Sequence, residues 1–160
     1  MESAGVQGLN SDFLDVRREL TEAKAEFVVV GAHALSVHVE PRSTGDLDIL
    51  VNPKPENAKR VIAALMTFGA PIAQHGLNIN DLAKPGLVYQ LGLPPRRIDI
   101  LTSVTGVSFD EIRRTEVRKK IEGLEIAFMG REALIQNKRA LGRPKDLVDL
   151  AALESSCAED

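Results

Sequence analysis

Tryptophan is absent from this chain of 160 residues, and aromatic residues make up only 4% of it. The core must therefore be built from Val, Leu, Ile and Ala. Platforms on which nucleobases stack are correspondingly scarce, which argues against a general single-strand nucleic-acid binder. There is one cysteine, Cys157, so no intrachain disulfide can form, a usage that suits a reducing compartment. Positive charge is not in excess either: the net charge is −3, and no overall basic signature for nucleic acid exists. Met1 to Asn10 has no basic-then-apolar leader pattern, and no run approaches the roughly 20 apolar residues of a membrane-spanning helix. Together these absences predict a cytoplasmic protein with no membrane partner.

What is present is ordinary for a globular chain: 44% hydrophobic and 27% charged residues, enough for one domain holding a sheet and several helices. The pattern predicts an α/β (α+β) fold, a mixed central sheet flanked by helices with a helical C-terminal cap. A single domain over 1–160 is expected, its core at about 11–129 and its cap at about 130–154. Phe13, Val16 and Leu20 recur at helical spacing. Phe27-Val28-Val29-Val30 reads as a buried strand ended by Gly31, and Ala32 to Val39 as a short helix. Asp46 to Val51 reads as a strand, and Pro55 opens a helix that Gly69 ends. Leu87–Leu91 and Arg97–Leu101 read as a hairpin around Gly92-Leu93-Pro94-Pro95. Leu124–Met129 is strand-like, and helices are expected at Arg131–Leu141 and from Pro144 to about Glu154. Met66, Phe68, Phe109, Phe128 and Met129 are expected in the core. The region 70–86 is the least legible, broken by Pro71, Gly76, Pro85 and Gly86.

Chemistry concentrates at Asp46-Leu47-Asp48. On a strand side chains alternate between faces, so Asp46 and Asp48 share one face, about 7 Å apart along the chain. Alternation in Ile98-Asp99-Ile100 likewise sets Asp99 opposite its apolar neighbours. If the two strands are adjacent, three carboxylates crowd together and require a compensating cation. Oxygen-only ligands suit Mg²⁺ or Mn²⁺, and such ions could activate a hydroxyl and steady a leaving oxygen in phosphoryl displacement. The plainer reading is a solvent-facing pair of aspartates, with Asp99 tied to Arg96 or Arg97. Val30-Gly31-Ala32, a strand passing directly into a helix, offers backbone N–H groups to an anion, though it could equally be an ordinary tight turn. Arg42 could add a charge-assisted contact to phosphate, or be a turn arginine. His33, His38 and His75 have no zinc-like spacing, and His38 is expected to be a hydrogen-bonded core group. Positive charge gathers in the last third, at Arg113-Arg114, Arg118-Lys119-Lys120, Lys138-Arg139, Arg143 and Lys145; solvated helix faces are the bland account of 113–120.

The ordered set Val29-Val30-Gly31-Ala32-His33-Ala34-Leu35, Pro41-Arg42-Ser43-Thr44, Asp46-Leu47-Asp48 and Ile98-Asp99-Ile100 resembles the DNA-polymerase-β-like nucleotidyltransferase superfamily. Within it the chain is similar to small prokaryotic members of the toxin–antitoxin and abortive-infection type. The tail from Asn137 to Leu150 resembles the closing helices of that group, so the likeness spans about 26–154. It implies that Gly31 and Ala32 form the phosphate-binding turn and that Asp46, Asp48 and Asp99 hold the metal. Asp99 would also draw off the acceptor's proton. Arg42, Lys138 and Lys145 would contact the triphosphate or acceptor, and Asp146 would orient a lysine or cap the last helix. Ala32 departs from the usual Gly or Ser: it keeps the N–H donor but brings no hydroxyl.

The expected function is metal-dependent transfer of a nucleoside monophosphate from a nucleoside triphosphate to an acceptor hydroxyl, on a tRNA 3′ end, a partner protein or a small molecule. The alternative is a non-catalytic partner-binding module on the same fold, an antitoxin or scaffold. A metal-dependent phosphoesterase is a third reading.

Overall fold

The computed structural model of the chain describes residues 11–39, 46–93 and 96–156. Arg42 with the turn before Asp46, the Pro94-Pro95 turn and Cys157 lie outside the described residues. The chain forms two compact units. Eight helices and six strands are found among the described residues, and the strands pair in both parallel and antiparallel fashion.

One unit takes in residues 11–27, 46–93 and 96–103. Its helices are α1 (Ser11–Glu22), α3 (Pro55–Phe68), α4 (Ile72–His75) and α5 (Ile79–Leu82), and its strands are β2 (Asp46–Val51), β3 (Val88–Leu91) and β4 (Arg97–Leu101). β4 lies between the other two, parallel to β2 and antiparallel to β3. One face of these strands is apolar: Leu47, Ile49, Val51, Ile98 and Ile100 are all 4% exposed or less. Phe13, Val16 and Leu20 of α1, with Ala58, Val61, Ala64 and Leu65 of α3, complete this core, and α1 packs on α3. The stripe on α3 differs from its sequence pattern at Met66, which is 62% exposed; Ala64 fills the inward position instead. α3 begins at Pro55 and ends at Gly69, whose φ of 99° suits a residue without a β-carbon. In its first turn Asn57 clamps the chain: its side chain accepts from Glu26 N at 2.7 Å and donates to the carbonyls of Glu26 and Asn52 at 3.0 Å. That network satisfies buried polar groups where an α1-side segment meets the end of β2.

The other unit takes in residues 28–39 and 104–156. It holds nearly all of β1 (Phe27–Val30), then α2 (Gly31–His38), α6 (Phe109–Thr115), β5 (Val117–Ile121), β6 (Leu124–Phe128), α7 (Arg131–Leu141) and α8 (Pro144–Ser155). β6 runs parallel to β1 and antiparallel to β5. Val28, Val29 and Val30 are all buried, as a continuous β-branched run predicts. The reading of 113–120 as helix surface holds for Arg113 and Arg114, in the last turn of α6, and is corrected for the rest: Arg118, Lys119 and Lys120 are exposed positions of β5, a strand. Its hairpin turns through Glu122 and Gly123, both at positive φ (50° and 81°), the signature of the tight turn that matches strand twist. Gly130 begins α7 against α6; a β-carbon there would stand 2.0 Å from the Thr115 carbonyl oxygen, so only glycine fits.

α8 is inverted in its polarity. Asp146, Asp149 and Leu153 are its buried residues, while Leu147 and Val148 are 52% and 68% exposed. The reason lies on α7, with which α8 packs. Lys138 of α7 points its ammonium between the two aspartates, 3.1 Å from Asp149 and 3.5 Å from Asp146.

Candidate active site

β2 and β4 are both short runs in which apolar residues alternate with polar ones, and their parallel register decides what the polar residues meet. Asp48 stands directly opposite Asp99, and Asp46 opposite Arg97. Gln90 of β3 is the partner of Asp99 on its other side. Because paired residues in register share a face, Asp46, Asp48, Gln90, Arg97 and Asp99 project together from the face opposite the apolar core. The condition set by the sequence pattern, adjacent strands with matching faces, is met.

Three carboxylates on one face repel. Burial, then the charges of Asp99 and Asp46 and a hydrogen bond with Asp99, push the Asp48 carboxyl up to about 6. Arg97 provides the compensation the strands themselves carry. Its Nη2 donates to Asp46 Oδ2 at 2.6 Å and to Asp99 Oδ2 at 3.4 Å, and its Nε donates to Asp99 Oδ1 at 3.1 Å. The guanidinium thus bridges the two aspartates and leaves Asp48 without a direct bond to it. Asp99 is 7% exposed. Among the described residues no group of three His, Cys, Asp or Glu side chains is arranged to hold a metal ion: the donors are the right kind, but with the guanidinium between Asp46 and Asp99 they do not converge. The plainer reading of Asp99 as an arginine partner is therefore correct as geometry, alongside the clustering. The sequence pattern did not disclose the Arg97 bridge to Asp46. That contact arises from register, and only the R-x-D spacing hints at half of it.

Of the remaining predicted residues, Gly31, Ala32, Lys138 and Lys145 belong to the other unit, and Arg42 lies outside the described residues. Gly31 and Ala32 open α2. Gly31 has φ of 71°, a left-handed conformation that strains any residue with a β-carbon. Val30 before it is extended, and no side chain caps the helix through it. His38 lies 3.1 Å from the Met129 carbonyl oxygen through Nε2, the hydrogen-bonded role expected of it. (His75, in the aspartate-bearing unit, has Nδ1 2.8 Å from the Tyr89 hydroxyl.) Lys145 is exposed. Lys138 is held by Asp146 and Asp149 as described. Asp146 also accepts from the Arg143 backbone N at 3.1 Å and from Arg143 Nε at 2.5 Å. It therefore both orients a lysine and caps α8. Hydrogen bonding from Arg143, aided by Lys138, holds its carboxyl down to about 2.

Comparison with known proteins agrees with this arrangement at the level of family and fold. A structure comparison matches a crystal structure of a provisionally assigned nucleotidyltransferase from Thermotoga maritima, at a TM-score of 0.54 and 13% sequence identity, over 96% of this chain and 97% of that one. That likeness shows a shared nucleotidyltransferase fold. No curated protein matches. No helix among the described residues is long and apolar enough to cross a membrane. A family model described as "Nucleotidyl transferase AbiEii toxin, Type IV TA system" matches residues 12–160, and the chain belongs to that family of nucleotidyltransferase toxins.

Proposed function

We propose that the protein transfers a nucleoside monophosphate from a nucleoside triphosphate to an acceptor hydroxyl, with Mg²⁺ or Mn²⁺ as cofactor, in the cytoplasm and as the toxin of a toxin–antitoxin pair. The observation that carries this reading is the register of Asp48 against Asp99, with Asp46 on the same face. A scaffold gains nothing from three like charges set side by side, one of them forced up to about 6.

The chemistry of the donors, though not their present convergence, suits a hard divalent cation: carboxylate oxygens only, with negative charge that one guanidinium does not balance. Asp46, Asp48 and Asp99 would hold it, and when bound it supplies positive charge at the phosphoryl oxygens. In this reading Asp99 accepts the proton of the acceptor hydroxyl. That oxygen forms a bond to the α-phosphorus as the bond to the pyrophosphate oxygen breaks, and pyrophosphate leaves. The backbone N–H groups at Gly31 and Ala32 would receive phosphate oxygens. Arg42, Lys138 and Lys145 would contribute positive charge toward the triphosphate or acceptor; Lys138 is already paired, which leaves more of that role to Arg42 and Lys145. The exposed Arg118, Lys119 and Lys120 support an RNA acceptor, such as a tRNA 3′ end, over a partner protein or a neutral small molecule.

The test is transfer of each of four α-labelled nucleoside triphosphates to total cellular RNA and protein with Mg²⁺ or Mn²⁺, by wild type and Asp48→Ala. Label appearing in one pool with wild type and absent with the variant is the expected result. A folded wild type that neither binds any triphosphate nor labels either pool overturns the reading. It would then favour the non-catalytic module, for which Ala32 and the closed Arg97 bridge are the supporting features.

A further inference from the structure

We propose that the open edge of β3 takes up an extended segment of a partner protein, one in which apolar and basic residues alternate. Such a segment adds a strand beside β3 and sets its cations on the face that carries the aspartates of β2 and β4.

β3 pairs with β4, and with no other strand among the described residues. The Thr102 N–H donates to the Leu87 carbonyl at 3.1 Å. Bonded pairs alternate along an antiparallel ladder, so Tyr89 and Leu91, two and four residues on, turn their backbone groups to β4. Val88 and Gln90 turn theirs to the open side. Their side chains are exposed, Val88 at 52%, while Tyr89 and Leu91 are buried. A free edge of this kind is a template for another strand, and proteins commonly blunt it with charge. β5, whose partner is β6, is blunted in that way: Arg118, Lys119 and Lys120 are its central residues. β3 has no such guard. Leu87 to Leu93 holds no charged residue and no proline, and Leu93 at its end is 80% exposed.

The two faces of β3 decide what its edge accepts. On one face Tyr89 and Leu91 lie beside Ile100 and Ile98, so an added strand meets hydrocarbon there. On the other, Gln90 lies beside Asp99, and beyond it Asp46, Asp48 and Asp99 have only the Arg97 guanidinium among them. A residue of the added strand opposite Gln90 stands two strand spacings, about 10 Å, from Asp99. That is close to the Debye length at moderate salt, so a cation there is attracted and an anion repelled. A long basic side chain can lean across the uncharged Gln90 and shorten the distance. Backbone pairing supplies the affinity, and the alternation of side chains supplies the selectivity. A second copy of β3 matches the backbone but brings no cation, and RNA meets repulsion from the carboxylates. The docking needs those carboxylates but no bound metal, so it stands or falls apart from the transfer reaction.

The experiment titrates the nitrogen-15-labelled full chain, in chelator, with a short peptide of alternating valine and lysine, read by nuclear magnetic resonance. Amide exchange at Val88 and Gln90 should slow on binding. A peptide of alternating valine and glutamate should not bind, nor should the valine–lysine peptide methylated at every backbone nitrogen. Gln90→Pro removes an edge donor that the β3–β4 ladder does not use, a place where proline is tolerated. It should weaken binding about tenfold while melting near wild type. Val88→Lys, which installs the missing guard, should weaken it about threefold, and it takes the place of Gln90→Pro if that variant does not fold. No binding of the valine–lysine peptide, equal binding of the glutamate or methylated peptide, or unchanged binding by the folded variants overturns the inference. Exchange at Val88 and Gln90 that slows with protein concentration alone overturns it in favour of a second copy. Exchange slowed by a single-stranded RNA oligonucleotide and not by the peptide overturns it in favour of RNA.

Discussion

Two acidic clusters in this chain, built from the same residue type, have opposite electrostatics. On β2 and β4, Asp46 and Asp99 share one guanidinium, and Asp48, which has no bond to it, is pushed up to about 6. On α8, Asp146 and Asp149 face the ammonium of Lys138 and the side chain of Arg143, and Asp146 is held down to about 2. The first cluster has more negative charge than its own cation offsets. The second has its charges matched and hydrogen-bonded. An aspartate cluster is thus not one kind of object: a satisfied one fixes helix packing, and an unsatisfied one has free energy to gain from a ligand.

The widest separation between the two should appear in activity. Asp48→Asn is expected to reduce nucleotidyl transfer by about a thousandfold or more, since it removes a charged oxygen ligand from the proposed metal set. The variant should fold normally, as seen by its far-ultraviolet circular dichroism. Transfer that survives in Asp48→Asn would place the reacting centre elsewhere and dissolve the comparison.

Stability should separate them in the opposite sense. Asp146→Asn leaves Lys138 with one carboxylate and takes the charged acceptor from Arg143, at a buried position where polar groups depend on their partners. A fall in melting temperature of about 10 °C is expected. Asp48→Asn, which relieves repulsion, should melt at or above wild type at pH 7.5 without metal. If both variants melt lower to a similar extent, the β2–β4 cluster is as satisfied as the α8 one.

The two clusters should also slope differently with pH. The folded-state pKa of Asp48 lies above its ordinary value of 3.8, so the folded chain binds that proton more tightly than the unfolded chain does. Its contribution is most favourable below about 4 and is lost as pH rises through about 6, a change of roughly 2–3 kcal/mol in metal-free protein. Asp146 is depressed from the same ordinary value, so its contribution is present above about 4 and is lost as pH falls through about 2. Chemical denaturation of wild type and Asp48→Asn between pH 4.5 and 7.5 in chelator checks the first half. The difference between the two proteins should grow with pH, in favour of the variant; a constant difference would mean Asp48 does not titrate in that window.

The readability of the two clusters from sequence differed for physical reasons. Asp46, Asp48 and Asp99 were legible because alternation on a strand is a strict period of two, and apolar neighbours fix which face turns inward. The β1–α2 and α7–α8 boundaries were legible where Gly31, Gly142 and Pro144 punctuate them. The Arg97 bridge was not, because it depends on which residue of β2 faces which residue of β4. The buried face of α8 was concealed as well: Leu147 is apolar yet exposed, and the inward positions go to Asp146 and Asp149 because Lys138 stands beside them. β5 was missed because its central residues, Arg118, Lys119 and Lys120, are all exposed and show no alternation. Its one local signal was Glu122-Gly123, a turn pair. α4 is a single turn between Pro71 and Gly76, too short for any periodicity.

The finest distinction concerns which cation governs the α8 cluster. Arg143 is the first cause of the low Asp146 pKa, through its hydrogen bonds, and Lys138 the last. Yet Arg143 is about half exposed while Lys138 is nearly buried. A surface cation can lower a pKa by good hydrogen-bond geometry and still add little to packing. Arg143→Ala should therefore return the Asp146 carboxyl toward its ordinary value in a carbon-13 side-chain titration, while lowering the melting temperature by only about 2–3 °C. A large loss of stability with the Asp146 titration unmoved would reverse the assignment. Lys138 would then be the cation that sets the carboxyl's charge, and Arg143 would matter through the packing of its side chain across the start of α8.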